Sequence, residues 1–161
     1  MIYPYKRIFT LLPIVILIVI ADEFLKYFSL DKLPSETDII DPNFIEFAIH
    51  KNFGMAFDIP FRLGLIILFS VIIGAFLAHI AYKNYKKHPD ISFSALVIII
   101  GAAGNLYDRL AYGFTVDYLL ILGKSAINLS DLIIITGVVL MLMASRRSRS
   151  HHKVHPNEPK R

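Results

Sequence analysis

Cysteine is missing from the 161-residue chain. Disulfides, thiolate nucleophiles and Cys-ligated metal sites are therefore excluded. No HExxH, no GxSxG and no phosphate-binding glycine-rich loop occurs, which removes the usual sequence marks of zinc hydrolysis, serine hydrolysis and nucleotide binding. No internal repeat is evident. From Leu63 to Tyr82 there is no Lys, Arg, Asp or Glu. The net charge of +4 does not point to nucleic acid, because most of the basic excess lies in short segments beside apolar runs. His151, His152 and His155 lie in a polar tail and read as solvated, so no metal site is expected.

Apolar side chains are plentiful. They make up 55% of the residues and the mean hydropathy is +0.57, above the roughly 45–50% apolar content of soluble domains. The excess is concentrated in four blocks, 8–28, 63–82, 91–112 and 127–144. A bilayer core of about 30 Å takes roughly 20 helical residues, so each block is long enough to span. Lys6 and Arg7 precede the first block, Lys83, Lys86 and Lys87 separate the second from the third, and Arg146, Arg147, Arg149 and Lys153 follow the fourth. These clusters fall on one side of the spans, which predicts both termini in the cytoplasm. Segments 29–62 and 113–126 then face outward. The expected domain is 1–145, followed by a disordered basic tail, 146–161, near anionic lipid. Ile45, Phe47 and Ile49 alternate with Glu46, Ala48 and His50, so a small extracytoplasmic sheet is expected in the first outer segment. Lys6-Arg7, an apolar run and Val19-Ile20-Ala21 also resemble a cleavable secretory signal. Charge alone allows either arrangement.

Polar groups gather where the spans meet the outer surface. Asp22 and Lys26 are four apart on one helix face, a favourable pair that could simply neutralise itself at the interface. Asn105, Asp108 and Arg109 share the outer end of the third span, just after GAAG (Gly101–Gly104), whose small residues permit close helix approach. Asp108-Arg109 reads equally as an interfacial anchor, and Asn105 as a bond to a neighbouring helix. Asp117 sits among apolar neighbours in FTVDYLLI. Asn128 and Asp131 open the fourth span, where Asn is a good helix cap and Asp suits the N-terminus. A short outer hairpin can also bring Asp117 and Asp131 together. Two carboxylates in a partly dry site share a proton, so one can activate water while the other protonates a carbonyl oxygen. That is amide hydrolysis by general acid–base catalysis, with no metal and no cofactor.

The ordered set of motifs resembles the lipoprotein signal peptidase (signal peptidase II) family over residues 5–145. Asp22-Glu23-Phe24-Leu25-Lys26 resembles its D-x-x-x-K element, and Asn52-Phe53-Gly54-Met55-Ala56-Phe57 its N-x-G-x-A-F element. Gly104 to Arg109 matches G-N-x-x-D-R, Val116-Asp117-Tyr118 resembles V-D-F, and Asn128 to Asp131 resembles N-x-A-D. Glu23 stands where Gln is usual, Tyr118 replaces Phe and Ser130 replaces Ala. The resemblance implies a mainly α membrane protein with four transmembrane helices and a small extracytoplasmic β-sheet, in the bacterial inner membrane. It implies an aspartic peptidase that cuts diacylglyceryl-modified prolipoproteins just before the lipidated cysteine. Asp117 and Asp131 would be the catalytic dyad. Asn52, Gly54, Asn105, Asp108, Arg109 and Asn128 would line or order the site, and Asp22 and Lys26 would support the first helix. These last two then belong to the mature enzyme, against a signal cut after Ala21. The segment from Asn52 to Phe57 is the candidate cover over the site. The partners expected are the prolipoprotein and membrane lipid, with the peptidase a monomer. Two other classes use the same residues: a proton-coupled carrier or channel, of which a carrier would need polar groups along a path, and an assembly subunit, which would tolerate Asp→Asn changes.

Overall fold

The structure, a computed structural model, describes residues 9–39, 44–54, 59–123 and 125–154, with side chains described as far as Arg147. Four long helices carry the chain: α1 (Leu12–Lys32), α2 (Leu63–Asn84), α3 (Pro89–Ala111) and α4 (Leu129–Val154). A three-stranded antiparallel sheet in the order β1-β2-β3 is formed by β1 (Ile45–Asn52), β2 (Thr115–Ile121) and β3 (Ser125–Ile127). Among the described residues, three helices are long and apolar enough to cross a membrane: Leu63–Asn84, Pro89–Ala111 and Leu129–Arg147. Asp22, Glu23 and Lys26 interrupt the apolar run of α1 and set it apart from these.

Local chemistry sets the helix ends. α1 runs past the expected limit at 28 to Lys32 and stops because Pro34 forces Leu33 into the extended conformation, φ −89° and ψ 149°. α3 begins on Pro89, which has no N–H to lose at a first helical position. The helical backbone of α4 continues through 146–154, the first part of the segment read as a disordered tail. Residues 155–161 lie outside the described residues, as do 55–58, which include the second half of the candidate cover.

Burial is inverted relative to a water-soluble fold. The largest fully enclosed side chains are mostly polar, with Asp22, Lys26 and Asp108 at 0% exposure and Asp117 and Asn128 at 1%. Large apolar side chains cover the outside, among them Leu17, Phe24 and Phe76, each 63% exposed. In water such a continuous apolar surface would drive association. In lipid it is the solvated face, and the polar groups are sequestered inside the bundle. The chain is thus a mainly α membrane protein with a small sheet.

The sheet combines both outer segments. The first supplies β1 and the second supplies β2 and β3, so residues expected in a plain hairpin are paired strand. Phe47 faces Leu119 and His50 faces Asp117, which leaves an extra residue in β1 between them. This bulge breaks the strict alternation expected from the sequence. Ala48 and Ile49 are both buried, while Ile45 and Phe47 point outward. Beyond the bulge the register brings Lys51 opposite Val116 and Asn52 opposite Thr115. Ile49, Val116 and Tyr118 form a buried apolar cluster under the sheet.

Candidate active site

The site forms where β2 meets the first turn of α4. Asn128 precedes α4, and its side-chain Oδ1 accepts the N–H of Asp131 at 2.9 Å. The Asp131 carboxylate accepts the Asn128 N–H in return, at 3.2 Å. This is a reciprocal helix cap, the arrangement the capping reading of the two residues required. The Asn128 amide nitrogen does more: it donates to Asp117 Oδ1 at 2.7 Å and to Asn105 Oδ1 at 3.1 Å. Capping and site-lining are therefore two uses of one side chain. A second amide, Asn105 Nδ2, donates to Asp131 Oδ1 at 2.7 Å. A third, Asn52 Nδ2 on β1, donates to Asp117 Oδ2 at 3.1 Å. All four carboxylate oxygens of Asp117 and Asp131 thus accept a hydrogen bond. Asp117 is enclosed, whereas Asp131 is partly open.

Lys26 fixes the direction of this amide chain. Its ammonium donates to Asn105 Oδ1 at 3.3 Å, which leaves the Asn105 NH2 for Asp131. Lys26 lies 2.8 Å from Asp108, 3.1 Å from Glu23 and 3.2 Å from Asp22. The expected Asp22–Lys26 pair exists, but at the centre of the bundle rather than at an exposed interface. Asp108 accepts Lys26 and the Val116 N–H, the latter at 3.1 Å, and is fully buried, so it is no interfacial anchor. Arg109 spends its donors on carbonyls, Asn105 O at 3.2 Å and Gly54 O at 3.1 Å. It thereby ties the chain after β1 to α3. Gly54 also donates its N–H to Asn52 Oδ1 at 3.0 Å.

Two residues of the GAAG run explain how close the helices come. A Cβ at Gly101 would lie 2.9 Å from the Ser130 carbonyl oxygen, and one at Gly104 would lie 2.6 Å from Ser130 Oγ. Any side chain at either position would push α3 off the first turn of α4.

Burial, and then the Asp131 carboxylate, push the Asp117 carboxyl up from 3.8 to about 7; the Asn52 and Asn128 amides and His50 oppose the rise. His50 is itself held by Glu36 at 2.7 Å. Among the described residues no three His, Asp or Glu side chains are grouped to hold a metal ion.

A sequence profile described as signal peptidase (SPase) II matches residues 14–147 of the chain. The chain belongs to the signal peptidase II family. The lipoprotein signal peptidase of Clostridium novyi is 32% identical to this family member over 137 residues, covering 80% of this chain and 91% of the relative. That of Halothermothrix orenii is 31% identical over 132 residues, covering 81% and 90%. Two solved structures share the fold, each described as a bacterial membrane enzyme. One has a TM-score of 0.77 at 24% identity, covering 94% of each chain. The other has a TM-score of 0.66 at 23% identity, covering 84% of this chain and 91% of the other.

The structure brings together every site residue expected from the sequence of this signal peptidase II. It also adds two that were noted only as departures, Tyr118 and Ser130. Both donate to Asp22, at 2.7 and 2.6 Å. Their hydroxyls were the only signal available, since nothing in spacing connects them to a residue about a hundred positions earlier.

Proposed function

We propose that Asp117 and Asp131 are the acid–base pair of this peptidase and that its substrate is a diacylglyceryl-modified prolipoprotein, cut just before the lipidated cysteine. The observation that carries this reading is the pair of carboxylates joined through Asn128 at the start of a membrane-spanning helix. A buried pair of this kind titrates as a unit and holds one proton near neutrality. One carboxylate takes a proton from water as its oxygen attacks the peptide carbonyl. The other gives its proton to the carbonyl oxygen, forming a tetrahedral diol. Collapse breaks the C–N bond while a proton passes to the departing amine. The site lies at the helix end because a lipid-anchored signal segment presents its cleavage point there. Purified protein should cleave a diacylated lipobox peptide in detergent; failure with a well-folded sample would overturn the reading.

The same reading places both termini in the cytoplasm of a bacterial cell, with a monomeric enzyme in the inner membrane surrounded by lipid. The alternating basic clusters support that orientation. A cysteine at Ser35, which is exposed beside the sheet, should react with an impermeant thiol reagent from outside intact spheroplasts. Reaction only after lysis would reverse the topology.

Cleavage should also depend on pH with a defined sign. The raised Asp117 value means that the proton is lost as pH passes about 7, so the rate should fall on the alkaline side. Asn52 donates to Asp117 and favours its ionised form. Asn52→Ala should therefore move the alkaline limb to higher pH. Folding stability from this group follows the same direction. The folded state holds the proton more tightly, so the contribution is complete below 3.8 and is lost through about 7. A limb that stays put in Asn52→Ala would separate it from Asp117.

A further inference from the structure

We infer that Tyr118 and Ser130 are positioning residues that set the separation of Asp117 and Asp131 by gripping one shared acceptor, the Asp22 carboxylate. This rests on the dyad reading above. Tyr118 follows Asp117 directly and Ser130 directly precedes Asp131. The Tyr118 hydroxyl donates to Asp22 Oδ1 at 2.7 Å and the Ser130 hydroxyl to Asp22 Oδ2 at 2.6 Å. One rigid, planar carboxylate thereby joins the residue beside each member of the pair. The N–H groups of Leu129 and Ser130 also point at it, at 3.2 and 3.1 Å, so Asp22 sits on the positive end of α4. Lys26, 3.2 Å away, supplies the counter-charge.

This grip differs from the amide chain. The asparagines orient the two carboxyl groups, whereas Asp22 fixes the backbones that carry them. Neighbouring Cα atoms are about 3.8 Å apart, so a shift at position 118 or 130 is passed almost whole to the adjacent aspartate. Ser130 has no room to drift, because α3 presses Gly104 against its hydroxyl. Burial, and then the bond to Asp22, raise the Tyr118 hydroxyl further from ionisation, which keeps it a donor. Both hydroxyls stand where this chain departs from the Phe and Ala of the family pattern.

The test is Tyr118→Phe, Ser130→Ala and their combination in the full-length protein, assayed with a diacylated lipopeptide in detergent. Each single change removes one oxygen and adds no bulk. The expected result is a fall in kcat of roughly 10-fold or more with KM within about twofold, since a small misplacement of catalytic groups acts on the chemical step. The double variant should lose less than the product of the two, because both hydroxyls act through one acceptor. The acid and alkaline limbs of the rate profile should also draw together as the coupling between the aspartates weakens. The charged groups around the pair, His50 on β1, Asp22, Glu23 and Lys26 on α1, and Asp108 and Arg109 on α3, are the same in every variant. A merely structural role would lower Tm and leave kcat and both limbs where they were, and that outcome would overturn the inference. A rise in KM alone would do the same. A folded wild-type protein that cleaves nothing would overturn both this inference and the proposed function, whereas an active wild type with unaltered variants would overturn the grip alone.

Discussion

Asp117→Asn and Asp131→Asn should each abolish peptide cleavage while leaving a folded membrane protein. Proton transfer by a placed side chain is typically worth about 10²–10⁴ in rate, and either change should cost at least that. Some loss of stability is also expected, for a reason visible in the geometry. Each carboxylate accepts donors on both oxygens: Asn128 and Asn52 on Asp117, Asn105 and the Asn128 N–H on Asp131. An amide has one acceptor and one donor end, so one of each set would face an N–H with an NH2. The loss of rate should far exceed the loss expected from a modest fall in Tm. Asp108→Asn is the contrast. Asp108 Oδ2 takes both Lys26 and the Val116 N–H, and among the described residues no N–H or O–H group is seen donating to the buried Oδ1. An amide can keep the first oxygen and put its NH2 in the second position, so cleavage should stay within roughly 10-fold of wild type. Single-turnover rates with parallel thermal melts decide the matter. Near-normal cleavage by either dyad variant would remove the acid–base assignment and favour an assembly role for these charges.

Lys26→Met should have the largest effect on stability. The side chain is fully enclosed, lies within 3.2 Å of three carboxylates and donates to Asn105. Methionine fills much the same space, so packing is largely kept. What is lost is the ammonium that, among the described residues, pairs with Asp22, Glu23 and Asp108. Removing one partner of a buried ion pair typically costs about 3–5 kcal/mol, because the opposite charge is left uncompensated. Here several charges are left. The variant should accumulate poorly in membranes and melt well below wild type in detergent. It should also be slow, since Asn105 would no longer be held with its NH2 toward Asp131. A Tm equal to wild type would mean that the carboxylates are neutral without Lys26.

The long apolar blocks and the ordered polar motifs were enough to expect four helices, an outer sheet and the residues of the site. Those features are legible because they are written in local runs or short spacings: lipid-length hydrophobic stretches, D-x-x-x-K on one helix face, an N-cap with its acid three residues on. The sheet was only half legible. The alternation of Ile45, Phe47 and Ile49 announces a strand, but the bulge that buries both Ala48 and Ile49 depends on pairing with Asp117 and its neighbours seventy positions away. Asp108 and Arg109 are adjacent yet serve different partners, Lys26 and the Gly54 carbonyl. Their adjacency suggested one anchor, and only the rotation of α3 separates them. Tyr118 and Ser130 were visible as departures, but their common acceptor becomes apparent only when α1 is packed against the start of α4.

Asn128 is at once the cap of the last membrane helix and the link between the two aspartates. The two carboxylates are therefore joined only when the first turn of the final helix has wound. A chain halted after three helices holds Asp117 but no Asp131 beside it, and on the acid–base reading proposed above it would be unable to cleave. On that reading, completing the fold is itself the act that arms the enzyme.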